Sequence, residues 1–342
     1  MTDTAEKLTD WLRAQLPTDE LRIVGLDRVD FGHSAEMMVL TIVTGSQRRD
    51  VVLRLRPRPP ALLEPYDLAR QFDILRALAP TPVRAPRALW LEATGDVLGR
   101  PFFVMERVPG SVYEMQAPEN ASDERIRRMC RSMAEQLAAI HRVDLVATGL
   151  AALDDGRDHL DRELAHWEHE MHRVQRGPLP ALERLLAGLT ETKPVPYPFV
   201  TLVHGDSKPG NFAFVGDDVS AVFDWEMTTL GDPLTDIGWM ELLWMQPVGI
   251  TSHPSAPSVE EFISHYESAS GIRTRNRAWY RALNAYKMAV ICLIGAMLVD
   301  SGDSDDQRFA MNAHGISPLT QLGLAELAID EKLDDGPVMP NR

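Results

Sequence analysis

Apolar and polar positions change rhythm about a third of the way along the chain. From Arg22 to Pro57 ("RIVGLDRVDFGHSAEMMVLTIVTGSQRRDVVLRLRP") they alternate with the period of two that marks half-buried strands, and "TGSQ" (Thr44–Gln47) reads as a hairpin turn. Ahead of it, Thr4–Leu16 has the period of a short amphipathic helix that Pro17 stops. Leu62–Leu78 has helical periodicity, and "ALWLEA" and "GRPFFVMERVPG" read as two more strands before a Pro-Gly break. Beyond Gly110 the helical period takes over. Helices are expected over Asp123–His141, with Ser122 as cap, and over Leu160–Val174 and Ala181–Leu189. "PYPFVTLVHGD" (Pro196–Asp206) reads as a buried strand entering a loop, and "AVFDWE" (Ala221–Glu226) as the end of another. From Thr235 the pattern is mostly helical, with a polar loop at Ser252–Pro257, and no internal repeat is found. The tail Asp330–Arg342 is expected to fray. The predicted class is α+β: a small β-rich lobe over residues 1–108, a hinge near Glu106–Gly110, and a larger helical lobe over 109–342.

Composition narrows the partners. The net charge is 35 − 50 = −15, and a phosphate backbone needs a basic face, so a nucleic-acid partner is not expected. The polar, acidic N-terminus is not a signal peptide, and the longest apolar run, Met288–Val299, is too short to span a bilayer, so neither membrane nor export is expected. Cys130 and Cys292 each sit in a helical pattern and read as buried thiols of a reducing cytoplasm.

The chemistry concentrates in "LVHGDSKPGN" (Leu202–Asn211), where a proline and two glycines force the backbone to turn. Asp206 and Asn211 lie five residues apart on that turn, and thirteen residues after Asn211 a strand ends at Asp224-Trp225-Glu226. A carboxylate and an amide oxygen brought together by two loops form a hard oxygen site of the kind Mg²⁺ takes when phosphate oxygens complete its shell. Asp206 is then free to accept a proton from a hydroxyl, and Lys208 to offset charge on a phosphate in transfer. Other clusters point less far. His166, His169 and His172 could bind zinc but read better as a solvated helix face. Trp239 and Trp244 read better as core than as pocket lining. Glu226 serves equally well as a partner of metal-bound water or as a loop cap.

His204–Asn211 resembles the catalytic loop of the protein-kinase-like superfamily, and the glycine after the histidine resembles the aminoglycoside phosphotransferase and choline kinase branch. "DWEMTTLGDPLTDIGWM" (Asp224–Met240) is similar to that branch's second motif. "VLGRPFFVMERVPG", "EQLAAIHRVD" and "NAYKMAVICLIGA" extend the likeness over most of the chain. It is nearest to the phosphotransferase-like domains sometimes fused to acyl-CoA dehydrogenases. The resemblance implies a bilobal protein-kinase-like fold, with Asp206 as catalytic base, Lys208 as catalytic cation, and Asn211 and Asp224 as Mg²⁺ ligands. It also implies Asp236 as a brace for the loop, a structural His204, adenine recognition by the backbone of Glu106 and Val108, and a phosphate-covering turn at Phe31, Gly32, His33 and Ser34. Two positions depart from the pattern: the third-strand lysine is Arg54, and its glutamate partner is Gln71.

The function so implied is an ATP- and Mg²⁺-dependent phosphotransferase acting on a small-molecule hydroxyl, with GTP left open as donor. Net acidity favours an aminoglycoside-like acceptor and the resemblance a hydroxyacyl-CoA-like metabolite, the second being preferred. The rival is a nucleotide-binding pseudokinase scaffold, for which Gln71 is the hint. Partners are then a nucleotide and a small acceptor, with homodimerisation left open.

Overall fold

The computed structural model describes residues 2–16, 20–29, 36–246 and 248–329. The chain forms two compact units: Met1–Gly110 with Ser220–Glu226, and Ser111–Val219 with Met227–Arg342. Ser220–Glu226 therefore packs with the first unit, whereas the division at residue 108 puts it in the second. Hydrogen bonds account for this. Val222 N–H donates to the Arg84 carbonyl at 2.6 Å, Ser220 Oγ donates to the Pro109 carbonyl at 2.7 Å, and Arg54 holds Asp224 and Glu226.

The first unit begins with α1 (Thr2–Gln15), followed by β1 (Leu21–Val29), β2 (Glu36–Thr44) and β3 (Gln47–Leu55). Then come α2 (Leu68–Leu78), β4 (Ala88–Glu92) and β5 (Phe102–Glu106). The strands form an antiparallel sheet in the order β1-β2-β3-β5-β4, and the pairing of Thr44 with Gln47 closes the expected hairpin. Leu8 and Leu12, one helical turn apart on α1, are fully buried against Leu21, Leu40, Ile42 and Phe102. Each such leucine contributes roughly 1.5–3 kcal/mol. Helix α2 starts at Leu68 rather than Leu62. Pro65 disfavours a helical residue before it, and the Asp67 side chain caps the helix by accepting from Arg70 N–H at 2.9 Å.

The second unit holds β6 (Ser111–Val112), α3 (Asp123–His141), α4 (His159–Val174), α5 (Pro180–Glu191), β7 (Thr201–Val203) and β8 (Phe212–Val215). β9 (Asp218–Val222) carries the chain into the first unit, and β10 (Thr229–Gly231) follows its return. The remaining helices are α6 (Leu234–Trp244), α7 (Val259–Ser270), α8 (Arg277–Ser301), α9 (Gln307–Asn312) and α10 (Ile316–Glu326). β6 pairs with β8, and β7 with β10, both antiparallel. The strand expected over Pro196–Asp206 shrinks to Thr201–Val203. Pro196 and Pro198 cannot donate to a ladder, and Phe199 and Val200 stay exposed. Helix α8 extends well beyond the Met288–Val299 run and is long and apolar enough to cross a membrane by length and composition. Most of its apolar window is buried in the unit, where α8 packs against α6, α10, α4 and α5. Cys130 and Cys292 are free thiols, and burial pushes Cys130 up to about 12.

Candidate active site

In the second unit the turn after β7 is pinned through both its N–H groups and a carbonyl. The N–H groups of His204 and Gly205 donate to the two oxygens of Asp236, at 2.7 and 2.8 Å. The Gly205 carbonyl accepts from Lys287 Nζ at 2.8 Å. Gly205 has φ 84, and a Cβ there would lie 2.3 Å from the Met227 carbonyl oxygen, so only glycine fits. Asp236 sits at the start of α6 and is fully buried. Burial alone would raise its carboxyl, but His141 and the His204 N–H overcome that and hold it below its ordinary value. His141 Nε2 lies 3.0 Å from Asp236, and its Nδ1 lies 2.6 Å from the Tyr266 hydroxyl, which assigns the proton to Nε2 and makes Nδ1 the acceptor.

That brace presents Asp206, which is 8% exposed. Its Oδ1 accepts from Trp239 Nε1 at 2.8 Å, and its Oδ2 accepts from Asn211 Nδ2 at 2.9 Å. Lys208 Nζ lies 3.4 Å from Oδ2 and 3.9 Å from Glu114. Asn211 Nδ2 also donates to the Asp206 carbonyl at 2.7 Å, so the amide's donor side is committed inward and its oxygen is the group left for a ligand. His204 accepts from Asp206 N–H through Nδ1 at 3.2 Å, a structural contact. Lys287 is itself buried, with Trp239 and Trp167 ring centroids 4.8 and 5.6 Å away and Glu163 at 3.8 Å. Burial acts to raise Glu163, but Lys287, His159, His166 and the Trp167 N–H together hold it low. A cavity of about 10 Å³, room for one water, lies beside Gly205, Asp236, Glu163, Lys287 and His159.

In the first unit Arg54 is the centre. Its Nε donates to the Tyr66 hydroxyl at 3.1 Å, and its Nη2 donates to Asp224 at 3.1 Å and Glu226 at 2.7 Å. Asp224 adopts φ 67, the left-handed region that costs a non-glycine residue energy and recurs at functional sites. Glu106 ends β5 with its N–H donating to the Arg87 carbonyl at 2.9 Å. Val108 follows, half-buried. Gly32, His33 and Ser34 lie outside the described residues.

The structure thus gathers Asp206, Lys208 and Asn211 in one unit, and Arg54 and Asp224 in the other. Sequence reasoning passed over Tyr66, Lys287 and the Trp239 N–H. The usable signal was spacing: Trp239 follows Asp236 by three residues on α6, which puts both on the helix side that meets the loop. Trp239 is core, as expected, and also a donor to Asp206. Trp244 is core, with its N–H on the Pro257 carbonyl. Glu226 pairs with Arg54. No group of three or more His, Cys, Asp or Glu able to hold a metal occurs among the described residues. His166, His169 and His172 are exposed on α4, in keeping with the solvated-face reading.

The profile of the Phosphotransferase enzyme family matches residues 35–283. Among curated proteins, Mus musculus "Acyl-CoA dehydrogenase family member 10" is 29% identical over 299 residues, covering 84% of this chain and 28% of its own. Mus musculus "Acyl-CoA dehydrogenase family member 11" is 30% identical over 288 residues, covering 79% and 37%. The chain therefore spans about a third of the length of these relatives. Among solved structures, a candidate aminoglycoside phosphotransferase from Ralstonia eutropha superposes with TM-score 0.77 at 23% identity, covering 94% of this chain and 98% of that one. Aminoglycoside phosphotransferase APH(4)-Ia, in ternary complex with ADP and hygromycin B, gives TM-score 0.62 at 14% identity, covering 96% and 100%. The structures establish a protein-kinase-like fold, β-rich in its first unit and mainly helical in its second. With nearly three-quarters of its length matched by the family profile, the chain belongs to the Phosphotransferase enzyme family.

Proposed function

We propose that the protein transfers the γ-phosphoryl group of ATP to a hydroxyl of a small molecule. The observation that carries this reading is the hold on Asp206: each carboxylate oxygen has one neutral donor, Trp239 or Asn211, which fixes the group's direction while leaving lone pairs for an incoming hydroxyl proton. In this reading Asp206 orients the acceptor hydroxyl and takes its proton, and Lys208 offsets charge on the phosphoryl oxygens as they move. Arg54 grips the nucleotide's phosphates, and the backbone of Glu106 and Val108 recognises its base. The Asn211 amide oxygen and the Asp224 carboxylate are hard oxygen donors of the kind Mg²⁺ takes. When bound, Mg²⁺ would neutralise charge on the phosphates.

For the acceptor, relatives named as acyl-CoA dehydrogenase family members favour a hydroxyacyl-CoA-like compound. The hygromycin B complex favours an aminoglycoside, at only 14% identity. The test is incubation with Mg-ATP and a panel of hydroxyacyl-CoA thioesters and aminoglycosides, with phosphorylated product detected by mass spectrometry. Product on a thioester supports the reading. Nucleotide binding with no product across the panel supports the second reading, a nucleotide-binding scaffold, which Gln71 favours.

A further inference from the structure

Gln71 stands where the family pattern has the glutamate that orients the third-strand cation. Arg54 is nevertheless oriented, and from elsewhere. A guanidinium has five N–H groups in a rigid plane, and here three are committed: one on Nε to Tyr66, and two on Nη2 to Asp224 and Glu226. Nη1 makes no hydrogen bond among the described residues.

We propose that Glu226 is the positioning residue for Arg54, taking over the role of the missing helix glutamate, so that Arg54 turns its Nη1 edge to the nucleotide's phosphates. This rests on the reading of Arg54 as the phosphate-gripping cation. Asp224 and Glu226 both accept from Nη2 of the Arg54 guanidinium. Glu226 is the more enclosed of the two, with its side chain 7% exposed against 23% for Asp224, and it makes the shorter bond. It can therefore keep Arg54 in place while Asp224 turns to a cation that arrives with the nucleotide. Tyr66 fixes the neighbouring Nε–H, and the buried Gln71 amide interacts with that same hydroxyl. A neutral side chain at 71 then makes sense, because a carboxylate there would add a third negative charge beside the Arg54 guanidinium, after Asp224 and Glu226. A lysine at 54 would have to meet Tyr66, Glu226 and a phosphate through one nitrogen, without the fixed fork of a guanidinium.

The experiment measures Mg-ADP affinity of the full chain by calorimetry, with thermal unfolding to confirm the fold. Glu226→Gln is expected to weaken binding by roughly tenfold and Tyr66→Phe by about threefold, since each loses a hydrogen bond that orients a charged group. Glu226→Asp, which keeps the charge, should lose less than Glu226→Gln. Gln71→Glu should bind no tighter than the parent. Glu226→Gln binding as tightly as the parent, or Gln71→Glu binding several-fold tighter, overturns the proposal. The hold on Arg54 is also read without nucleotide, from its ¹⁵N Nε–H resonance. That signal should exchange slowly with water in the parent and faster in Glu226→Gln and Tyr66→Phe, and equal exchange in all three overturns the positioning role. A parent that shows the slow signal but binds no Mg-ADP counts against the proposed function and leaves the positioning of Arg54 standing.

Discussion

The Trp239 indole N–H donates to Oδ1 of Asp206 at 2.8 Å, while the Trp239 ring lies 4.8 Å from the buried Lys287 ammonium. One aromatic side chain thus aims the candidate base and is itself held by a cation that also binds the Gly205 carbonyl. Trp239→Phe keeps most of the ring's packing and deletes only the donor. Turnover should fall about tenfold, the worth of one orienting hydrogen bond to a charged group, with nucleotide affinity unchanged. Steady-state kinetics beside nucleotide titration checks this. A loss of affinity with kcat preserved would contradict the assignment.

Asp236 accepts two backbone N–H groups of the loop and the His141 ring with no solvent exposure. Asp236→Asn turns one acceptor oxygen into a donor facing those N–H groups. It should cost about 3 kcal/mol or more in urea unfolding near neutral pH, the scale of breaking a buried charged network. Because the folded-state carboxyl titrates below its ordinary value of 3.8, its contribution is present above about pH 4 and is lost as pH falls through the folded-state value. The parent should therefore lose stability more steeply than the variant on acidification below pH 4. Parallel curves would contradict this.

His159 gives a second pH signature. Its Nδ1 accepts from the Asp232 N–H at 3.1 Å, and burial holds the ring below its ordinary value of 6.5 despite Glu163 and Asp232, with Arg162 and Lys287 adding to the depression. A ring kept neutral in the fold contributes stability above about pH 6.5, and that contribution is lost as pH falls through the folded-state value. Denaturant midpoints between pH 7.5 and 5 should fall more steeply for the parent than for His159→Gln. Identical slopes would show that His159 is not the responsible group.

Local signals were the legible ones. Ser122 caps α3 by accepting from Arg125 N–H at 3.2 Å, and the helix runs to His141 as the period indicates. The hairpin at Gly45 follows from a turn sequence between two alternating runs. The loop residues Asp206, Lys208 and Asn211 were legible because their spacing lies within one turn. The Arg54–Glu226 pair is separated by 172 positions and the Lys287–Gly205 bond by 82, so neither leaves a periodic trace. Tyr66 follows a proline in a stretch that reads as helix by apolar spacing, which hid its contact with Arg54. The movement of Ser220–Glu226 to the first unit was hidden for a similar reason: a strand's pattern says that it is buried and not which sheet edge or loop receives it.

The central claim is that the hold on Asp206 exists for phosphoryl transfer. The most direct measurement compares the parent with Asp206→Asn, following phosphorylated product on an acceptor the parent is shown to use, with Mg-ADP affinity measured on the same samples. The isosteric amide should preserve the fold and nucleotide binding, while the rate of product formation should drop by roughly 10²–10⁴, the usual worth of a positioned general base. If Asp206→Asn phosphorylates that acceptor as fast as the parent, Asp206 is not the base, and the convergence of Trp239, Asn211 and Lys208 on its carboxylate serves the fold alone.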